Sequence, residues 1–297
     1  MTSHDVVAAI RRAARVRRVG HAGTLDPLAT GVLLVCIDQA TRVSRYLVAS
    51  DKEYRARICL GQTTDTDDSE GQITQQRPLP PDLNKTEIKE ALAGFVGELY
   101  QVPPRYAAIK QNGVPLYKLA RQGIDTKPAT RRVTIHSINL LEWHKPYLTI
   151  DVRCGPGTYI RALARDLGAY LGCGGHLSGL VRSKSGQFFL DKALELTEAV
   201  QLLKKGQKER IANILWPLDA ALIGISRFTI NSDAETRLGH GQQIDGPSPG
   251  LDESQPILRT VYAEDGTLIA IARYDKSSGL WQPDTVFNLR PTDGVQA

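Results

Sequence analysis

The stretch Gly20-His21-Ala22-Gly23-Thr24-Leu25-Asp26-Pro27-Leu28-Ala29-Thr30-Gly31 is the most unusual segment of this sequence. Its three glycines and one proline leave little room for regular secondary structure. Pro27 biases Asp26 away from helical backbone angles, so we expect an extended loop that presents the Asp26 carboxylate. An isolated Asp-Pro pair is typical of an ordinary turn. The length of the whole string is what favours a function for Asp26.

A cluster of arginines comes directly before this loop, at Arg11, Arg12, Arg15, Arg17 and Arg18. Apolar residues recur at helical spacing on the opposite side, at Val6, Val7, Ile10 and Ala14. With Ser3 as a suitable N-cap, the pattern predicts an amphipathic helix. A solvated helix face is the ordinary explanation for such a charge run. Because this run leads into the Asp26 loop, we favour a phosphate backbone as its partner.

Downstream of the loop, the hydrophobic pattern predicts strands and helices in a mixed order. We expect strands at Val32 to Ile37, Tyr54 to Leu60, 133–141 and 147–154. We expect helices from about Ile88 to Leu99, from Tyr159 to Leu171 and over 194–205. Asn84 and Glu87 have the spacing of a capping box before the first of these helices. The polar residues 61–83 are expected to form a loop.

The character of the chain changes near Gly224. Residues 225–231 and 257–274 have the pattern of short strands, and Asp265-Gly266 is a hairpin turn signal. Gly246 to Pro256 is expected to be a loop. We therefore predict a larger mixed domain over residues 1–223 and a small β-rich domain over residues 224–297.

Composition excludes several classes of protein. The chain has 297 residues, is 41% hydrophobic and carries a net charge of +5, which fits a globular protein. Its longest apolar run is far shorter than the ~20 residues that span a bilayer, and its first residues lack a secretion signal, so we expect a cytoplasmic protein.

The four cysteines lie far apart without a Cys-x-x-Cys pair, which indicates free thiols. No metal or nucleotide motif is present, so we expect no cofactor. The acidic run from Asp65 to Glu70 lacks the calcium-loop pattern, and we interpret it as a solvated loop.

A second unusual segment is Gly155-Pro156-Gly157-Thr158-Tyr159-Ile160-Arg161. With Thr158 as N-cap, Arg161 would occupy the third helical position, where a cation opposes the helix dipole by roughly 0.3–1 kcal/mol. A residue placed against the local preference suggests a compensating partner. A buried carboxylate would bind a guanidinium with two hydrogen bonds, and Asp26 is a candidate. A solvated surface arginine is the alternative, and the local pattern does not choose between them.

These strings, with others in the same order, resemble the bacterial TruB-type tRNA pseudouridine synthases. The other strings are Asp51-Lys52-Glu53-Tyr54, Thr63-Thr64-Asp65-Thr66-Asp67, Gln101-Val102-Pro103-Pro104 with Lys110, Gly113 and Tyr117, and His176-Leu177-Ser178-Gly179-Leu180 with Arg182, Gly186 and Phe188. The resemblance covers residues 1–223. The tail is more weakly similar to the PUA-like RNA-binding domain that these enzymes often carry.

The resemblance implies an α+β fold, with a mixed, mainly antiparallel sheet, flanking helices and one catalytic cleft. It implies isomerisation of the uridine at position 55, in the tRNA T-loop, to its C-glycoside. Asp26 would be the nucleophile and Arg161 its partner. The implied partner is the T-arm of tRNA, with no cofactor and no membrane, and we expect a monomer.

The resemblance also assigns the substrate-binding residues. Tyr54 would stack on the flipped uracil, although in isolation its pattern is that of a core aromatic in a strand. Tyr159 and Leu180 would line the uracil pocket. His21 would lie where the T-loop is remodelled and the target base leaves the stack.

The sequence departs from the family pattern in two places. Family members usually begin with a strand and a Lys-Pro-x-Gly segment, so we expect an in-frame upstream segment that encodes them. Ala107 stands where a serine is usual, so we expect the contact of that serine to be missing. A non-catalytic tRNA-binding or tRNA-folding protein of the same fold is one alternative function. A glycoside hydrolase is another, but it would need a second carboxylate as acid, and no motif marks one.

Overall fold

The computed structural model describes residues 1–111, 113–124, 128–206, 208–249 and 257–289. The chain forms two compact units. The first comprises Met1–Val6, Gly23–Leu34 and Val48–Glu195, and the second comprises Val7–Ala22, Val35–Leu47 and Leu196–Ala297. The domain boundary between residues 223 and 224 stays a prediction. In the part of the chain that is described, every helix is too short or too polar to cross a bilayer.

The strands in chain order are β1 (Val19–His21), β2 (Ala29–Gly31), β3 (Val35–Ile37), β4 (Lys52–Leu60), β5 (Gln62–Thr64), β6 (Ile73–Gln76), β7 (Gly97–Gln101), β8 (Lys110–Gln111), β9 (Val114–Pro115), β10 (Arg131–His144), β11 (Tyr147–Cys154), β12 (Gly175–Ser185), β13 (Phe188–Phe189), β14 (Arg227–Ile230), β15 (Leu258–Ala263), β16 (Leu268–Asp275) and β17 (Leu280–Val286). The α-helices are α1 (Ser3–Ala14), α2 (Ser44–Val48), α3 (Lys85–Ala93), α4 (Leu116–Arg121), α5 (Ile160–Tyr170), α6 (Leu196–Lys204), α7 (Lys208–Ile214) and α8 (Ser232–Gly239). Short 3₁₀ helices span Asp38–Val43, Leu190–Lys192 and Leu218–Leu222.

The main sheet of the first unit has the order β13-β12-β4-β11-β10-β7, and β2 pairs with β12 beside this path. Every pair is antiparallel except β2 with β12, which confirms the predicted mixed, mainly antiparallel sheet. One face of the sheet is apolar and packs against α3 and α5, with Ile58, Ile150 and Leu167 fully buried between them. Packing this face stabilises the sheet on which the β2 segment is anchored.

The second unit contains a sheet of order β14-β15-β16-β17, with Trp281 fully buried in its core. The turn between β15 and β16 is the predicted one, because Gly266 adopts a φ of 82° there and its N–H donates to the Ala263 carbonyl. The β-rich character of this region is therefore confirmed. Residues 250–256 of the predicted loop lie outside the described residues.

The strand predicted at Val32 to Ile37 is wrong in its extent. The chain forms β2 before it and β3 at its end, with residues 32–34 between them. The break is explained by β12, since the Val32 N–H donates to the Arg182 carbonyl and the Arg182 side chain binds the Val32 carbonyl. Residues 61–83 also differ from the predicted loop, because they contain the β5–β6 hairpin.

Two helix ends differ from their predictions. The capping box of Asn84 and Glu87 is confirmed at the start of α3, but that helix ends at Ala93 rather than near Leu99. Gly94 caps it, and Gly97 opens β7 with a φ of 108°. In α1 the cap is Thr2 rather than Ser3, since the Thr2 hydroxyl accepts from the Asp5 N–H and the Asp5 carboxylate accepts from the Thr2 N–H. The Ser3 hydroxyl instead bonds the backbone of Leu25.

Gly31 combines a positive φ with a close backbone approach, and it yields a test of the β2–β12 junction. Its φ is 100°, and a Cβ would lie 2.3 Å from the Arg182 carbonyl oxygen. We expect Gly31→Ala to lower the free energy of unfolding by roughly 2–5 kcal/mol, because left-handed strain and backbone overlap add. Gly172→Ala is the matched control, since Gly172 also has a positive φ but has no atom within 4 Å of its Cβ position. Its cost should be about 1 kcal/mol. If urea denaturation shows that both variants lose the same free energy of unfolding, the proposed overlap at Gly31 is contradicted.

Candidate active site

Asp26 and Arg161 form a bidentate ion pair in the first unit. Arg161 Nε lies 2.9 Å from Asp26 Oδ2, and Arg161 Nη2 lies 2.8 Å from Asp26 Oδ1. The side chain of Arg161 is 5% exposed and that of Asp26 is 28% exposed. The expected pairing of the two residues is therefore present, and the solvated-arginine alternative is wrong. The carboxylate is oriented by the guanidinium and remains accessible on one side.

The helix that carries Arg161 begins differently from the prediction. Tyr159, in an extended conformation, is the N-cap and has no side-chain cap bond, so Arg161 is the second helical residue. The Thr158 hydroxyl instead donates to the Gly155 carbonyl. Gln101 fixes the cap, because its buried amide accepts from the Tyr159 N–H at 2.8 Å and donates to the Tyr159 carbonyl at 3.0 Å.

Asp68 is a second carboxylate partner of Arg161. Its Oδ2 lies 3.4 Å from Arg161 Nη1, and its side chain is 5% exposed. Its Oδ1 accepts from the Thr66 hydroxyl and from the Glu70 N–H. Arg161 also donates to the Thr66 carbonyl at 3.1 Å. The solvated loop predicted from Asp65 to Glu70 is therefore wrong in part, since this turn supplies a buried anion that compensates a buried cation.

The Asp26 loop is tied down at several points. The Ser3 hydroxyl bonds both the N–H and the carbonyl of Leu25, and the Ala29 N–H donates to the Asp26 carbonyl. Arg182, almost fully buried, donates to backbone carbonyls on both sides of Asp26, at Gly23, Thr24 and Val32. The carboxylate is therefore held by a loop whose backbone is bonded on both flanks.

Tyr54 and Leu180 lie on adjacent strands of the sheet. Tyr54 on β4 is in register with Arg182 on β12, and Leu180 is in register with Ala29 of the Asp26 loop. Tyr54 and Leu180 belong to one apolar cluster. Burial is the main cause of a raised pKa of the Tyr54 phenol and of the Tyr159 phenol. Burial therefore favours the neutral phenol at both positions.

The structure places five of the predicted site residues in the first unit, namely Asp26, Tyr54, Tyr159, Arg161 and Leu180. His21 lies in the second unit, on β1 opposite Val35 of β3. The roles assigned to all six residues from the resemblance stay predictions.

Sequence reasoning missed three residues that build this site, namely Gln101, Asp68 and Arg182. Each lies in one of the quoted strings or directly beside one, but none was given a role. The available signal for Arg182 was a cation directly after the apolar residues Leu180 and Val181. Asp68 offered no comparable signal, because an acidic run has the composition of a solvated turn.

The arrangement suits covalent chemistry by one carboxylate better than acid–base chemistry by two. A glycosidase would need a second carboxyl group as proton donor. The Asp68 carboxylate is buried and engaged by Arg161, Thr66 and a backbone N–H, so it is not available for that role. In the described ranges, no group of three or more His, Cys, Asp or Glu side chains could hold a metal ion.

Two family models match the chain in succession. The first, described as TruB family pseudouridylate synthase (N terminal domain), matches residues 11–160. The second, described as tRNA pseudouridylate synthase B C-terminal domain, matches residues 161–223. The Asp26–Arg161 pair joins residues from the two matched regions.

The chain is also similar to curated proteins named tRNA pseudouridine synthase B. The protein from Alkaliphilus oremlandii is 44% identical over 244 residues, which cover 82% of this chain and 79% of that protein. The protein from Dehalococcoides mccartyi is 41% identical over 288 residues, which cover 97% of this chain and 93% of that protein.

Solved structures share the fold. A crystal structure of a Cbf5–Nop10–Gar1 complex contains a chain that matches with a TM-score of 0.70 and 27% identity, covering 92% of this chain and 74% of that one. A structure of an H/ACA RNP bound to a substrate RNA containing 2′-deoxyuridine matches with a TM-score of 0.71 and 23% identity, covering 99% and 83%.

Lys52, two residues before Tyr54, provides a pH test of burial at this site. Its Nζ donates to the Val48 and Ser50 carbonyls, and burial, followed by the nearby Arg182 charge, lowers its pKa from 10.5 to about 8. Between these two values the unfolded chain binds a proton at Lys52 that the folded chain does not, so this group makes stability rise with pH. The free energy of unfolding of the wild type minus that of Lys52→Met should therefore increase from pH 8 to 10.5. Lys184→Met, at a partly exposed lysine, is the control, and equal pH slopes for the two variants would contradict the assignment.

Proposed function

This chain belongs to the TruB family of pseudouridylate synthases, and from that premise we propose that it converts the uridine at position 55, in the T-loop of tRNA, to pseudouridine. The observation that carries the proposal is the bidentate pair that Asp26, in the loop of the family motif, forms with Arg161 of α5. The T-arm is the proposed binding partner, and the cytoplasm, where tRNA is used, is the proposed location. We propose that the protein acts as a monomer.

The reaction breaks the bond from the ribose C1′ to uracil N1 and forms a bond from C1′ to C5. The proton on C5 leaves and N1 gains one, so no electrons, group donor or cofactor are needed. In our proposal Asp26 is the nucleophile. Of the two carboxylates bound to Arg161, its side chain is the more exposed, at 28% against 5%. Arg161 keeps the Asp26 oxygens in one orientation, which lowers the entropy lost on reaching the transition state.

The target uridine must leave the T-loop stack to reach Asp26. We propose that Tyr54 stacks on the flipped uracil and that Leu180 and Tyr159 complete the pocket. Their neutral, partly apolar surfaces suit a base that must turn between two bonds without being held by one fixed set of hydrogen bonds. His21 is proposed to contact the remodelled T-loop.

The arginines around α1 are the proposed phosphate contacts. Arg12, Arg15, Arg17 and Arg18 are exposed. Arg11 differs from the prediction, because it is half-buried and donates to the Val19 carbonyl at 3.0 Å. Arg11 therefore has a structural contact, and four exposed arginines remain for RNA. The small domain predicted over residues 224–297 is proposed to provide a further RNA contact.

A non-catalytic tRNA-binding protein is the alternative function. The intact pair of Asp26 and Arg161 does not favour it, since binding alone does not require a buried guanidinium to orient a carboxylate.

Asp26→Asn tests the catalytic assignment. The change is nearly isosteric but removes the negative charge, so single-turnover isomerisation of a T-arm transcript should fall by about 10⁴-fold or more, while tRNA affinity persists. Asp151→Asn is the control, because Asp151 forms an exposed pair with Arg55. Near-normal turnover by the Asp26 variant, measured by detection of the pseudouridine product, would rule out the proposed nucleophile.

The salt dependence of tRNA binding tests the arginine cluster. Each phosphate contact contributes roughly 0.7–0.9 to the slope of log affinity against log salt. Replacing Arg17 and Arg18 by glutamine should therefore lower the slope by roughly 1.4–1.8 without changing which nucleotide is modified. Arg55→Gln, at an exposed arginine of β4, serves as the control. If the slope of the double variant equals that of the wild type, these two side chains do not contact phosphate.

A further inference from the structure

A second arginine lies one helical turn after Arg161 on the same helix. Arg165 Nη1 lies 3.0 Å from Asp67 Oδ2, and Asp67 directly precedes Asp68 in the chain. Arg161 Nη1 forms a longer ion pair, at 3.4 Å, with Asp68 Oδ2. Two consecutive acidic residues of the turn over 64–70 therefore bind two arginines at positions i and i+4 of α5.

The two arginines also hold a second segment in parallel. Arg165 Nη2 donates to the Val102 carbonyl at 2.9 Å, and Arg161 Nη2 donates to the Tyr106 carbonyl at 3.2 Å. The third nitrogen of Arg165, Nε, bonds the neighbouring Asp166 at 2.8 Å. All three nitrogens of the Arg165 guanidinium are thus engaged, which fixes its plane.

Asp67 is held through both its backbone and its side chain. Its φ is 61°, a left-handed conformation that a residue with a Cβ rarely adopts. Its carbonyl accepts from the Leu177 N–H, which ties the turn to β12. Its side chain is 16% exposed, and burial raises the pKa of its carboxyl group while Arg165 opposes that rise. The ion pair with Arg165 therefore compensates the buried charge of Asp67.

We propose that Arg165 is a positioning residue for the isomerisation. With Asp67 and the Val102 carbonyl, it sets the turn over 64–70 and the segment over 102–106 at the distance where both can bind Arg161. Those contacts orient the Arg161 guanidinium on Asp26. Arg165 forms no bond to Asp26, so its effect on the reaction passes through Arg161. The inference rests on the proposed function, because the rate it affects is that of uridine isomerisation.

The test compares Arg165→Met and Asp67→Asn in the full-length chain, on T-arm transcript bound at saturating enzyme. Misplacement of a catalytic group by a fraction of an ångström to one ångström slows reactions by up to about 100-fold. We therefore expect each variant to lower the single-turnover rate by about 10–100-fold while the tRNA Kd changes by less than about 2-fold. Because both residues act through one pair, the double variant should be no slower than the slower single variant. Arg165→Lys should recover only part of the rate, since an ammonium group cannot reproduce the three-way contact.

Arg55→Met is the matched control, because Arg55 forms a bidentate but exposed pair with Asp151 in the same unit. Rates are normalised to the folded fraction from thermal unfolding, and Asp67→Asn carries the test where Arg165→Met does not fold. Wild-type rates in both single variants would overturn the inference, as would a loss explained by unfolding or by weaker tRNA binding. Failure of the wild type itself to isomerise the transcript would instead refute the proposed function.

Discussion

The buried guanidinium of Arg161 is the constraint on which the site depends. A charge that is 5% exposed is tolerated only when it is paired and fully hydrogen-bonded. Here Asp26, Asp68 and two backbone carbonyls satisfy it, and they come from segments far apart in the sequence. The loop over 23–34, the turn over 64–70 and the segment over 102–106 must therefore meet at the start of α5 for the charge to be stable.

Arg182 supplies the second half of this arrangement. Its side chain bonds backbone carbonyls rather than carboxylates, and it does so on both sides of Asp26. The backbone of Arg182 pairs with Gly31 of β2, and its carbonyl accepts from the Val32 N–H. A side chain at Gly31 would collide with that carbonyl. The Asp26 loop is thereby fixed to a rigid sheet, and this anchoring holds the Asp26 side chain in one orientation although its segment is irregular.

Arginine occupies two different kinds of environment in this protein. Arg161 and Arg182 are buried, and their planar, multi-donor groups organise backbone and carboxylates. Arg12, Arg15, Arg17 and Arg18 are exposed and suit long-range attraction of a polyanion, which needs charge rather than geometry. Arg11 belongs to the same basic run in the sequence, but its side chain is half-buried and donates to the Val19 carbonyl. Its place in the run therefore did not predict its environment.

The sequence by itself determined the mixed sheet, the capping box at Asn84, the hairpin at Asp265-Gly266 and the candidate pairing of Asp26 with Arg161. The capping box and the hairpin follow from cap and turn chemistry that acts over a few residues, whereas the mixed sheet and the choice of Asp26 as the partner of Arg161 follow from the resemblance of the motifs to a known family. The tertiary structure alone decided that Asp68 is buried, that residues 32–34 leave the strand and that α5 begins after Tyr159. Those outcomes depend on partners that are distant in the chain, namely Arg161, Arg182 and Gln101. No local pattern encodes which distant group will pair with a buried charge or with a free backbone N–H or carbonyl group.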